Sequence, residues 1–139
     1  MTERIAAIAV VAAALLASCA EAAPAADITK GEIAVELKEH VISMSAQEVR
    51  AGTVTFLVRN RGGVAHDFIV IKTDLAPDKL PLDAQAQKVK EDGRVGSVQE
   101  IPPGKNGNLR LDLQAGHYVI VCNVPTHYQL GMRTELTVR

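Results

Sequence analysis

Hydrophobic and polar residues alternate with a period of two through most of the chain after residue 30. Val54, Phe56 and Val58 fall on one side of an extended run, with Thr55 and Arg59 on the other. His66, Phe68 and Val70 alternate with Asp67 and Ile69, and Leu109, Leu111 and Leu113 alternate with Arg110, Asp112 and Gln114. The clearest run is the last, where Met132, Thr134, Leu136 and Val138 interleave with Arg133, Glu135, Thr137 and Arg139. A period of two places successive side chains on opposite faces of a strand. The pattern predicts strands near 32–38, 40–45, 53–60, 66–72, 94–100, 107–113, 116–122 and 132–138. Turn-forming pairs and triplets separate them: Ala51-Gly52, Arg61-Gly62-Gly63, Pro102-Pro103-Gly104 and Ala115-Gly116. Many short strands with such turns predict an all-β antiparallel sandwich. One stretch departs from the period. Leu82 to Glu91 is rich in helix formers and stops at Asp92-Gly93, which predicts a short helix inserted between strands.

The start of the chain has a different character. Residues 1–18 join a short polar start carrying Arg4 to an apolar run from Ile5 to Ala17. That run is too short for a membrane-spanning helix of about 20 residues and has the length of a secretory signal core. It ends in Leu16-Ala17-Ser18-Cys19, which resembles a bacterial lipobox: cleavage before the cysteine, then lipid on its thiol. Cleavage without lipid near Ala23-Pro24-Ala25 is the plainer alternative. The Ala/Pro/Glu stretch after Cys19 reads as a flexible tether. The expected organisation is a signal peptide at 1–18, a lipidated cysteine and tether at 19–27 and one domain at 28–139. The expected location is the periplasmic or cell-surface side of a bacterial membrane, held there by lipid on Cys19.

At 139 residues the chain suits a single domain and excludes an enzyme with a separate cofactor domain. Fifteen basic and 16 acidic residues leave a net charge of −1, and the four aromatic rings include no tryptophan. No basic excess exists to neutralise phosphates and few rings to stack on bases, so nucleic acid is not an expected partner. Export implies an oxidising compartment, where cysteines normally pair. With Cys19 lipidated or removed, Cys122 has no partner, and a lone thiol there is a hazard unless it is buried or occupied.

Cys122 lies in the most informative stretch, Gly116-His-Tyr-Val-Ile-Val-Cys122-Asn-Val-Pro-Thr-His127-Tyr-Gln-Leu-Gly-Met132. A strand runs up to Cys122, a loop held by Pro125 and Gly131 carries His127, and Met132 opens the last strand. The spacing Cys-x4-His-x4-Met lets one loop fold a thiolate, an imidazole and a thioether around a point. Thiolate and thioether are soft donors that favour copper, and two His with one Cys and a weak axial Met form the blue-copper donor set. The second histidine has to come from elsewhere. His66, 56 residues upstream at the start of a strand, is the candidate. Taken singly, each residue has a plainer reading: surface for His66 and His127, core for Met132, a small buried hydrophobe for Cys122. His40 and His117 are expected on the surface, Met44 in the core, and Asp74, Asp78, Asp83, Glu91 and Asp92 on a solvated face.

The stretch Gly116-x-Tyr118-x3-Cys122-x2-Pro125-x-His127-x4-Met132 resembles the C-terminal ligand loop of the cupredoxin family, the small blue-copper electron carriers. Its spacing is similar to that of rusticyanin-, sulfocyanin- and auracyanin-type members, and Asn60 to His66 resembles the family's first-histidine strand. The resemblance spans about residues 28–139. It implies an eight-stranded Greek-key β-sandwich and a single copper held by His66, Cys122, His127 and Met132. Two positions depart from the family pattern: Thr126 stands where members often have Gly, and Asp67 where they often have an Asn that braces the ligand loop.

The function this implies is a one-electron carrier that cycles one copper between Cu(I) and Cu(II). Four protein donors leave no open position for a substrate, which argues against an enzyme. A nitrite reductase or multicopper oxidase would also need a His-x-His pair, and the chain has none. A copper-binding or delivery protein uses the same ligands and remains the alternative; a metal-free adhesion sandwich is the plainest. His127 is the expected exit for the electron. Val64, Ala65, Val124, Pro125 and Leu130 surround it as a candidate docking patch for a redox partner such as a cytochrome or membrane oxidoreductase. The domain is expected to be a monomer. If Cys19 carries lipid, the protein partitions with membranes and Cys19→Ser releases or misprocesses it. Fractionation that finds the wild-type protein wholly soluble would contradict this.

Overall fold

The computed structural model describes residues 31–139, and these form an all-β sandwich. The predicted signal segment, Cys19 and the tether lie outside the described residues. Eleven strands follow in order: β1 (Glu32–Lys38), β2 (Val41–Met44), β3 (Glu48–Val49), β4 (Gly52–Asn60), β5 (His66–Lys72), β6 (Leu82–Asp83), β7 (Lys88–Val89), β8 (Arg94–Ile101), β9 (Asn106–Leu113), β10 (Gly116–Val121) and β11 (Arg133–Val138). The eight predicted strands are all present, with ends shifted by one or two residues. The two-residue strands β3, β6 and β7 are additional.

One sheet has the order β2-β1-β4-β9 and the other β3-β11-β10-β5-β8. Between them lies the core of inward-facing residues that the alternation predicts, including Ile33, Val35, Val54, Phe56, Val58, Phe68, Val70, Ile120 and Leu136. Burying each such side chain contributes about 1.5–3 kcal/mol before ordering costs. Met44 packs against this core, as expected.

Strands β5 and β10 differ from the amphipathic expectation. They are neighbours in register, Val121 opposite Ile69 and Tyr118 opposite Lys72, and they are buried on both faces. Their outward residues Ile69, Ile71, Val119 and Val121 join Leu80, Val89 and Tyr128 in a second apolar cluster. The segment between β5 and β8 covers that outer face. A strand apolar on both sides needs such a cover.

That cover contains the predicted helix, and the structure corrects it. Leu82 to Glu91 forms a small hairpin, with Leu82 paired to Val89 and Asp83 to Lys88. The Asp83 carboxylate accepts the N–H groups of Gln85 and Ala86 and ties the turn. A ten-residue helix is marginal unless it buries a face, and between 82 and 90 only Val89 is buried. The backbone is instead held from outside: Asn123 accepts the Val89 N–H and donates to its carbonyl, and the Gln87 carbonyl accepts the Thr126 N–H. Two of the acidic residues here form ion pairs. Asp78 pairs with Lys79 and Glu91 with Arg94, which supports the solvated-face reading.

His117 was expected on the surface and is half-buried. Nδ1 lies 2.7 Å from the Thr73 carbonyl and Nε2 lies 3.1 Å from Glu135. Burial opposes its charge, but these two acceptors outweigh it and raise its pKa. The ring therefore ties the start of the covering segment to β10 and β11.

Candidate metal centre

Three predicted ligands meet at one pole of the sandwich. His66 opens β5, Cys122 directly follows β10, and His127 lies in the loop from 122 to 132 that leads into β11. Pairing of Val121 with Ile69 sets Cys122 beside the first residues of β5. The Asp67 N–H donates to Cys122 Sγ at 3.2 Å. Sγ stands 3.5 Å from His127 Nδ1 and 3.8 Å from His66 Nδ1. Sγ and one ring nitrogen of each histidine all lie within 4.8 Å of one another. Both imidazoles turn Nδ1 toward the sulfur, and His66 and Cys122 are fully buried.

The ligand loop is internally stapled. His127 N–H donates to the Val124 carbonyl, Met132 N–H to the His127 carbonyl, and Cys122 N–H to the Met132 carbonyl. Met132 is thereby fixed by backbone to both loop ligands, and its side chain is fully buried in the core beside Cys122.

Burial governs the protonation of the three groups. It raises the Cys122 pKa against two backbone N–H donors, from Asp67 and Val124. It lowers that of His66, helped by repulsion from His127, and that of His127, helped by His40. The imidazoles are thus held neutral and able to donate lone pairs. A bound cation reverses the penalty on the thiolate, so metal uptake releases the thiol proton. Two convergent imidazoles and a thiolate, with a buried thioether just before β11, fit copper.

The profile of the cupredoxin-like domain family matches residues 6–138. The chain belongs to the cupredoxin family. His66, Cys122 and His127 converge and Met132 lies buried at the end of the same loop, an arrangement that fits one copper per chain. Among solved structures, it is similar to reduced auracyanin from the photosynthetic bacterium Roseiflexus castenholzii, with TM-score 0.61, 21% identity, 79% of this chain and 98% of that one. It is similar to auracyanin B, with TM-score 0.61, 18% identity, 78% of this chain and 88% of that one. Rusticyanin from Thiobacillus ferrooxidans matches with TM-score 0.58 and 18% identity, over 80% of this chain and 79% of that one. At these identities the likeness shows the fold. No curated protein matches the sequence.

The two departures now have a structural account. Asp67 does not brace the ligand loop with its carboxylate; that group accepts the Glu100 N–H on β8, and only its backbone reaches Cys122. Thr126 has φ +72°, a left-handed conformation that suits Gly and penalises a β-branched residue. Its N–H bond to Gln87 ties the ligand loop to the covering hairpin.

Several contributors were not identified from the sequence. The Asn60 amide donates to the carbonyls of Val64 and Ile101 and accepts the Gly62 N–H, which fixes the turn before His66. Its parity with Val54, Phe56 and Val58 on the inward face was the available signal, because a buried amide there needs partners. Asn123 and Tyr128 hold the covering segment; the Tyr128 hydroxyl donates to the Pro77 carbonyl and accepts the Leu80 N–H. Glu39 and His40 form the two-residue turn between β1 and β2 and lean over the pole. His40 is exposed, as expected, but stands edge-on to His127 with ring centroids 5.6 Å apart.

Around the partly exposed His127, Val64, Ala65, Pro125 and Leu130 are exposed and Val124 is half-buried against the core. Val64, Ala65, Val124 and Pro125 line a depression of ≈ 470 Å³ with His127 and the charged residues Asp67, Lys88 and Glu100. Leu130 is 58% exposed outside that depression. Relief of the left-handed strain predicts that Thr126→Gly raises unfolding stability by about 1 kcal/mol, after the greater freedom of Gly in the unfolded chain is set against it. Urea or thermal denaturation measures this. A loss of stability would mean that the threonine side chain outweighs its own strain.

Proposed function

We propose that this cupredoxin is an extracytoplasmic one-electron carrier, tethered to a bacterial membrane through lipid on Cys19. The observation that carries the reading is a buried Cys122 facing two imidazole Nδ1 atoms, one of which belongs to a ring open to a surface depression. Bound copper supplies the Cu(I)/Cu(II) couple. The protein's part is to hold the donors in a geometry that changes little between the two states. The staples from Cys122 to Met132 and from Met132 to His127 serve that purpose, as does the Asp67 N–H on the sulfur, which tunes its donor strength. Met132 is the weak fourth donor in this reading. With four protein donors no position remains for a substrate, so the protein is not an enzyme.

His127 is the route for the electron, and the apolar residues around it are the docking face. Weak electron-transfer encounters bury little area, and exposed apolar groups such as Val64 at 47% and Leu130 at 58% suit brief contact with a cytochrome or membrane oxidoreductase. The protein is read as a monomer that exchanges partners rapidly.

Purified full-length protein given Cu(II) is expected to bind one ion per chain and show an intense visible thiolate-to-copper band. Cys122→Ser abolishes the band; Met132→Gln keeps colour and lowers the potential, because a harder oxygen favours Cu(II). A colourless wild-type protein with full copper occupancy would defeat the reading, and rapid loss of Cu(I) to a chelator would favour delivery instead. For the docking face, Leu130→Asp and Val64→Glu are expected to leave spectrum and potential intact and slow exchange with a cytochrome about tenfold, equivalent to about 1.4 kcal/mol. Stopped-flow rates equal to wild type in both variants would place docking elsewhere.

A further inference from the structure

His66 turns Nδ1 toward Cys122 Sγ, which leaves Nε2 on the far edge of a fully buried ring. Among the described residues, this is the one buried side-chain nitrogen or oxygen without a hydrogen-bond partner. Once Nδ1 gives its lone pair to a cation, the remaining ring proton sits on Nε2, and a buried N–H without an acceptor is costly. Metal-binding imidazoles usually donate that N–H to a carboxylate, carbonyl or water.

Glu39 is placed to receive it. Its Oε1 stands 3.8 Å from His66 Nε2. The same oxygen accepts the Gly63 N–H, so the carboxylate is already anchored to the turn that precedes His66. Gly62 makes the approach sterically feasible: a Cβ there would lie 2.6 Å from Oε1 and 2.8 Å from Nε2. Any other residue at 62 would wedge the two apart. A hydrogen bond needs about 2.7–3.2 Å, so the carboxylate has to come closer by roughly 0.6–1.1 Å. The Glu39 side chain is 46% exposed and has room to turn.

We infer that Glu39 is a positioning residue for the metal centre, whose carboxylate accepts the Nε2–H of His66 when Nδ1 holds copper and thereby stabilises Cu(II) relative to Cu(I). The inference rests on the copper reading above. A carboxylate partner makes the imidazole a stronger donor and adds negative charge beside the metal, and both effects favour the higher oxidation state.

The test compares full-length wild type with Glu39→Ala, Glu39→Gln and Gly62→Ala, with Glu36→Gln as a control. Glu36 is an exposed carboxylate on the neighbouring strand that pairs with Arg61. Two quantities are measured: the reduction potential, and the exchange rate of the His66 Nε2–H by proton NMR on the diamagnetic Cu(I) form. Glu39→Ala is expected to shift the ratio of Cu(II) to Cu(I) affinity about tenfold toward Cu(I), a rise of about 59 mV for one electron. Its Nε2–H should exchange about tenfold faster or more. Glu39→Gln keeps an acceptor and should slow that exchange relative to Glu39→Ala. Gly62→Ala keeps the charge but separates the groups, so its Nε2–H should also exchange faster. Glu36→Gln should leave that proton unchanged.

Blue wild-type protein with unchanged potential and exchange in both Glu39→Ala and Gly62→Ala overturns this inference and leaves the copper reading standing. A potential that rises in Glu39→Ala with exchange as in wild type assigns Glu39 only a through-space charge and overturns the hydrogen bond. A wild-type chain that takes up no copper removes the copper reading and this inference with it.

Discussion

The antiparallel pairing of β5 with β10 sets everything at the metal pole. It places Val121 opposite Ile69, so Cys122, the next residue out, meets the start of β5. There it receives the Asp67 N–H and faces the His66 ring. A slip of one residue would turn Cys122 to the other face of the sheet. The register is held by burial on both sides: Phe68, Val70, Tyr118 and Ile120 point into the sandwich, and Ile69, Ile71, Val119 and Val121 point into the second cluster. Neither set can be exchanged for the other without moving the sulfur away from the imidazoles.

The covering segment between β5 and β8 has two roles. It shields the outward residues of the two central strands from water, and it reaches the ligand loop itself. Asn123 next to Cys122, Thr126 next to His127, and Tyr128 all bond to it. Each of these bonds is adjacent in sequence to a ligand, so stiffness of the cover becomes stiffness of the loop. A centre that changes oxidation state with little rearrangement benefits from that stiffness. The left-handed Thr126 is consistent with it, since such strain persists only where the surroundings over-determine a conformation.

The pole itself is asymmetric. His66 is sealed beneath Gly62, Gly63 and Glu39, whereas His127 opens into a surface depression. His66 is enclosed by groups that can hold it, and His127 faces a surface of mixed apolar and charged residues. Neutral imidazoles and a buried thiol suit a soft metal, while Glu39, Asp67, Lys88 and Glu100 place charge around the apolar residues of the pole.

By itself the sequence determined the class of fold and nominated four candidate ligands, of which the structure brings His66, Cys122 and His127 together. A period of two is a local property, and Cys-x4-His-x4-Met confines three donors to a loop too short to separate them. His66 was legible because it opens a strand after a glycine turn and the other histidines lay outside the motif. Helix propensity misled at 82–91, where the deciding forces are bonds from Asn123 and Thr126 about 35 to 40 residues away in the chain. Local pattern carries no information about such partners. For the same reason only the tertiary structure revealed the second burial face of β5 and β10, the clamp on His117 and the place of Glu39. The turn carrying Glu39 comes 27 residues before His66, and their meeting depends on how β1 lies beside β4, a parallel pairing that no local signal encodes.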